Sequence, residues 1–220
     1  MKSTSCTRLP LVLILFAGGC VVGDELTTFT LNSDGSADLV VFRSNLHSTE
    51  NAELREKELA EYKANFDAQA DGDFRRIRDA GGQIMLTSWV RAQAPFSNVV
   101  HARFPDTAAL EKYWTLKDKE DRPLITTQFQ KNGTRHRLTF RITVPEENEQ
   151  APASADVNQL RQALANGISE TRFAVTEGAI TTARGFTVAG DRQSALLNSA
   201  EISDLIRKGK GKAELWLEWE

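Results

Sequence analysis

Cysteine, histidine and methionine are scarce in this chain of 220 residues, which holds two Cys, three His and two Met. That scarcity excludes a disulfide scaffold, a zinc ribbon and an iron–sulfur site, each of which consumes several thiolates or imidazoles. His47, His101 and His136 are far apart and form no HxH or HExxH pattern, so no metal site is expected. A surplus of one charge is lacking too. The chain has 27 Lys and Arg against 30 Asp and Glu, a net charge of −3. Such a balance argues against a nucleic-acid partner held by bulk positive charge. Long apolar runs are missing: the stretch from Leu9 to Gly19 covers 11 residues, whereas a spanning helix needs about 20. G-x-S-x-G, S-x-x-K, P-loop and GxGxxG signatures do not occur. The hydrolases and nucleotide binders that these motifs reveal are therefore disfavoured, and neither an enzymatic activity nor a cofactor is expected.

What remains is globular composition, with 26% charged and 40% hydrophobic residues. The N-terminus is organised in three parts. Lys2 and Arg8 supply positive charge, Leu9 to Phe16 are apolar, and Ala17, Gly18 and Gly19 are small residues before Cys20. This is the pattern of a secretory leader.

The block Phe16-Ala17-Gly18-Gly19-Cys20 resembles a bacterial lipobox. From Cys20 onward the chain resembles bacterial lipoproteins with one α+β domain, a likeness that rests on about a dozen N-terminal residues and the hairpin-like TLNSDGSADLVV segment. The resemblance implies that residues 1–19 are removed and that Cys20 carries lipid on its sulfur and its amino group. Two or more acyl chains anchor stably where one does not, at about 0.8 kcal/mol per buried CH₂. Val21, rather than Asp, follows Cys20, which implies the outer membrane. Losing Lys2 and Arg8 leaves 25 basic against 30 acidic residues in 201, a net charge of −5, and a folded body with no free thiol.

Along the mature chain, Asp24 to Ser44 reads as a hairpin turning at Asn32-Ser33-Asp34-Gly35. Glu50 to Ala70 predicts a helix with Leu59, Tyr62, Phe66 and Ala70 at helical spacing, and Asp73 to Ala80 a short one with Phe74 and Ile77 inward. Strands are expected over Gln83–Arg91 and Asn98–Phe104, then a helix capped by Asp106. Asn132-Gly133 predicts a two-residue hairpin turn, which sets Phe129 opposite His136 and Thr127 opposite Leu138. Leu138, Phe140, Ile142 and Val144 then share an apolar face, and Arg135, Arg137 and Arg141 the opposite one. Residues 145–155 have linker composition, and Asp156 precedes a stripe of Val157, Leu160, Leu164 and Ile168. Short strands are expected between Thr171 and Leu197, then a helix capped by Asn198 with Glu201, then an alternating strand ending at Glu220.

Strands and helices alternate without a regular strand–helix–strand period. The expected fold class is α+β, with mainly antiparallel sheets built from hairpins and covered on one face by helices. Residues 20–220 form one domain in this reading, with residues 145–155 the candidate subdomain boundary. The expected function is a lipid-anchored envelope protein, a non-catalytic interaction or structural module facing the periplasm or cell surface. Its partners would be the membrane and another envelope protein, and its candidate contact surface Arg135, Arg137, Arg141 and Trp216. A water-facing strand that carries charge against aggregation would display the same arginines. The alternative is a binding protein for a small apolar or lipid ligand, and a further one a carboxylate-based hydrolase whose paired acids would sit in a cleft with raised pKa values.

Overall fold

The computed structural model describes residues 21–117, 122–144 and 170–220. The leader, Cys20 and the segment holding the linker and the Val157–Ile168 stripe lie outside the described residues.

The described residues open with a long antiparallel hairpin, β1 (Val21–Leu31) and β2 (Ala37–Ser48). Its turn is held by Asp34, whose Oδ1 accepts from the backbone N–H and the hydroxyl of Ser36 at 2.9 and 2.7 Å. Helix α1 (Ala52–Asp67) starts at Asn51, whose side chain accepts from the N–H groups of Glu53 and Leu54. Asp71 caps α2 (Gly72–Asp79) in the same manner. The hairpin β3 (Gln83–Arg91) and β4 (Phe96–Phe104) follows, then α3 (Thr107–Trp114), capped by Asp106 as expected. After the two-residue β5 (Leu116–Lys117) come β6 (Pro123–Asn132) and β7 (Arg135–Thr143). The last part holds β8 (Glu170–Val175), β9 (Ile180–Arg184), β10 (Phe186–Val188), β11 (Ser194–Leu197), α4 (Ser199–Lys208) and β12 (Lys212–Trp219).

These strands form two sheets. The larger has seven strands in the order β10-β11-β8-β1-β2-β4-β3, and the smaller five in the order β5-β6-β7-β12-β9. Within the larger sheet β1 and β8 run parallel, with Phe29 beside Phe173, while its other pairs are antiparallel. The sheets face each other. Phe140 of the smaller sheet meets Phe173 and Phe186 of the larger at centroid distances of 5.7 and 6.3 Å. Trp114 of α3 wedges between them, 5.0 Å from Phe29 and 5.3 Å from Phe140. One core runs through both layers, including Leu39, Phe104, Leu138, Leu215 and Trp219.

This corrects the expected α+β architecture. The described part is predominantly β, and the apolar face of the smaller sheet is covered by another sheet. The reason is physical: period-2 alternation says that one face is buried, not what buries it. The helices fill the flanks. Phe66, Phe74 and Ile77 close the β2-β4-β3 side of the larger sheet.

The β6–β7 register also differs from expectation. Asn132 pairs with Arg135, and Phe129 lies opposite Leu138 rather than His136. The two central residues are Gly133 and Thr134, and Gly133 takes the positive φ of 64° that the first of them requires. The slip is two residues in partner number, so inside and outside are preserved: Leu138, Phe140, Ile142 and Val144 are all buried.

Candidate functional site

Two constellations stand out, one buried and one on the surface. The buried one centres on Arg43 of β2, whose side chain is 3% exposed. Alternation along β2 points Ala37, Leu39, Val41 and Arg43 into the same interior. Arg43 Nε donates to Glu25 Oε2 on the neighbouring β1 at 3.1 Å, and Nη2 donates to Asp73 Oδ2 in the first turn of α2 at 2.9 Å. Beside them Asn98 of β4 donates from Nδ2 to the Tyr62 hydroxyl of α1 at 2.8 Å. Asn98 Oδ1 is buried and makes no hydrogen bond among the described residues.

The electrostatics follow from one cation facing two anions. Burial pushes Asp73 up to about 7 against the pull of Arg43, and nearby Asp71 and Glu25 add to the rise. Burial also raises Glu25, again opposed by Arg43. For Arg43 burial disfavours the charge, but Asp73 and Glu25 outweigh it and its affinity for the proton rises. With both acids ionised the group would carry one surplus negative charge in a poorly solvated place, so one of them retains a proton most readily.

Two raised carboxylates close together are what the hydrolase reading required. The geometry gives them another role. The Glu25 and Asp73 side chains are 13% and 20% exposed and turn toward the guanidinium between them, so the triad joins β1, β2 and α2 as a structural link. The sequence reading missed it. Its one signal was Arg43, a charged residue in phase with the buried positions of a strand.

The surface constellation contains the four residues singled out from sequence. Arg135, Arg137 and Arg141 lie on β7, and Trp216 lies on the adjacent β12, opposite Thr139. The outer face of the smaller sheet brings all four together. Arg141 Nε meets Glu214 Oε2 at 2.9 Å, Arg137 Nη1 meets Glu218 Oε1 at 2.9 Å, and Arg135 Nε meets Glu220 Oε2 at 3.4 Å. The Trp216 ring lies beneath two guanidiniums, 4.8 Å from that of Arg137 and 5.1 Å from that of Arg184 on β9.

The histidines stay apart. His101 Nε2 lies 3.0 Å from Asp38 Oδ1, His47 Nδ1 lies 2.6 Å from the Asn45 carbonyl, and His136 stacks on Trp219 at 5.3 Å. Among the described residues no three His, Cys, Asp or Glu gather as metal ligands. An apolar cavity lined by Trp114, Ile125, Phe140, Leu197, Ile202 and Leu215 holds about 20 Å³. That is room on the order of one water, against roughly 300 Å³ for a small-molecule pocket. No described helix is long and apolar enough to cross a membrane.

No protein-family model matches the chain, and no curated protein matches it. Among solved structures, the NMR structure of the folded domain of LppM from Mycobacterium tuberculosis is similar over 94% of each chain, with 12% identity and a TM-score of 0.39. A likeness of that size carries nothing about activity or partners.

Proposed function

We propose that this chain is a lipid-anchored protein of the bacterial cell envelope, tethered to the outer membrane through Cys20. Its folded body acts as a non-catalytic interaction module, and the outer face of the smaller sheet is the surface that meets an envelope protein. The observation that carries this reading is the packing of the Arg137 and Arg184 guanidiniums against the Trp216 ring. Aromatic and arginine side chains supply much of the binding energy in protein interfaces. Side chains already held in place lose less entropy when a partner arrives. Arg135 and Arg141, each against a glutamate, make a polar rim around that centre.

The test is photo-crosslinking in native membranes from a benzoylphenylalanine at position 182, the β9 residue opposite Glu218. An adduct with an envelope protein is expected that disappears in Trp216→Ala and persists in Val40→Ala, a change on the other sheet. An adduct indifferent to Trp216→Ala, or none at all, overturns the proposed surface. The anchor is tested apart from it: mass spectrometry of the native protein should find Cys20 acylated as the first residue, and an unmodified residue 20 refutes the lipid.

A further inference from the structure

The proposed anchor and the first strand are joined without a spacer. Val21, the residue after Cys20, is already the first residue of β1, paired with Ser48 and 2% exposed. Consecutive Cα atoms are about 3.8 Å apart. Lipid on Cys20 would therefore hold the folded body within a few ångströms of the bilayer, by one defined end.

Strand directions say which end that is. The start of β1 lies beside the end of β2, Leu46 of β2 pairs with Phe96 at the start of β4, and Arg91 at the end of β3 pairs with Ser97. The tip of the β3–β4 hairpin, residues 92–95, thus projects from the same end as Val21, three strands away across the sheet. At roughly 4.8 Å per strand that is about 14 Å.

The composition of this tip is unusual for the chain. From Gln83 to Pro105 there is no Asp or Glu, although the protein has 30 of them. Arg91 is exposed, and Val90 is 62% exposed. Behind them Trp89 and Phe96 pack edge-on at 6.0 Å, with the Lys63 ammonium 5.7 and 5.2 Å from their rings. Apolar side chains, aromatic rings and cations gathered at one level are what the boundary between lipid headgroups and acyl chains favours. Carboxylates of α1 also reach this end: Asp67 accepts from the Trp89 indole N–H at 2.7 Å, and Glu58 accepts from the hydroxyl of Ser48, the partner of Val21.

We infer that the Val90–Phe96 tip is a second membrane contact, seated on the phospholipid surface that holds the acyl chains of Cys20, with Val90 at the headgroup boundary and Arg91 against lipid phosphate. The inference rests on the anchor reading. It fixes how the body stands: the larger sheet is upright, and the β1–β2 turn points away from the bilayer. Twelve residues of β2 at about 3.3 Å each put that turn roughly 40 Å out.

The test uses the mature lipoprotein in vesicles of phosphatidylethanolamine and phosphatidylglycerol. With Cys20 acylated, a new cysteine is the only free thiol. Spin labels are placed at Gln93→Cys in the tip and at Gln83→Cys, an exposed residue at the far end of β3. Collision with a water-soluble nickel chelate should be several-fold weaker at position 93 than at position 83. Adding Val90→Asp and Arg91→Glu should abolish the difference while the protein stays on the vesicles. A membrane-bound, acylated protein whose two labels are equally exposed overturns this contact alone. Mass spectrometry finding residue 20 unmodified overturns it together with the anchor.

Discussion

Arg43 and Asp73, 30 residues apart in the chain, meet at 2.9 Å with the arginine side chain almost wholly enclosed. The pair, with Glu25, ties helix α2 to the two strands that follow the proposed anchor. A buried cation is tolerable because both carboxylates are aimed at it, and each loses its reason to be there if the cation goes. Arg43→Met should therefore destabilise the fold by about 3–5 kcal/mol. Adding Glu25→Leu and Asp73→Leu to that variant should recover most of the loss, since no uncompensated charge is then left inside. Urea denaturation of the three proteins checks this. A single Arg43→Met change costing under about 1 kcal/mol would mean that the triad is more solvated than its geometry indicates.

The same triad makes stability depend on pH. Asp73 has a folded pKa raised to about 7 from 3.8, so the folded protein binds more protons than the unfolded chain between these values. The associated stability is complete below about 4 and is lost as pH rises through about 7. Glu25 is raised as well and acts in the same direction. His136 is lowered by burial and by Lys131. Its contribution is present above its unfolded pKa and is lost as pH falls through the folded value. Asp73→Asn isolates the first effect: the wild type should lose stability from pH 5 to pH 8, and the variant should lose less. A wild type that gains stability over that interval, with Asp73→Asn unchanged, contradicts the assignment.

Local features of the fold were legible because they rest on neighbouring residues. Asp106 caps α3 as its place before the helix predicts, and the even-numbered residues of β7 are inward whichever register the hairpin adopts, whereas the caps Asn51 and Asp71 went unread. The Asn198–Glu201 capping box is half present. Asn198 Oδ1 accepts from the Glu201 N–H, whereas Glu201 Oε1 accepts from the Gly185 N–H instead. That partner comes from a distant turn, and spacing within a helix says nothing about it. The same limit hid the sandwich and the triad. Phe140 against Phe173, and Arg43 against Asp73, are contacts between segments whose meeting depends on strand order. On the surface, parity alone brought Arg135, Arg137, Arg141 and Trp216 onto one face.

Because both sheets share one core, they should unfold as one unit. Phe140 is 4% exposed and touches Trp114, Phe173 and Phe186. Removing its ring leaves a void bounded by side chains from both layers. Phe140→Ala should cost about 3–5 kcal/mol and shift a single transition seen alike by tryptophan fluorescence and far-UV circular dichroism. Two separated transitions would show that the layers are independent.

The outer ladder of the smaller sheet should contribute little to stability, and this separates a contact surface from a structural one. Arg141 and Glu214 are close at 2.9 Å, yet their side chains are 54% and 42% exposed. Water competes for both charges, and salt screens what remains. A double-mutant cycle with Arg141→Ala and Glu214→Ala should give a coupling below about 1 kcal/mol that vanishes at high salt. Trp216→Ala together with Arg137→Ala should likewise leave the fold intact while removing the crosslink to an envelope partner. A ladder coupling above about 2 kcal/mol would exceed what exposed pairs supply. It would mark these charges as holding β7 to β12, and the search for the partner surface would then move off the smaller sheet.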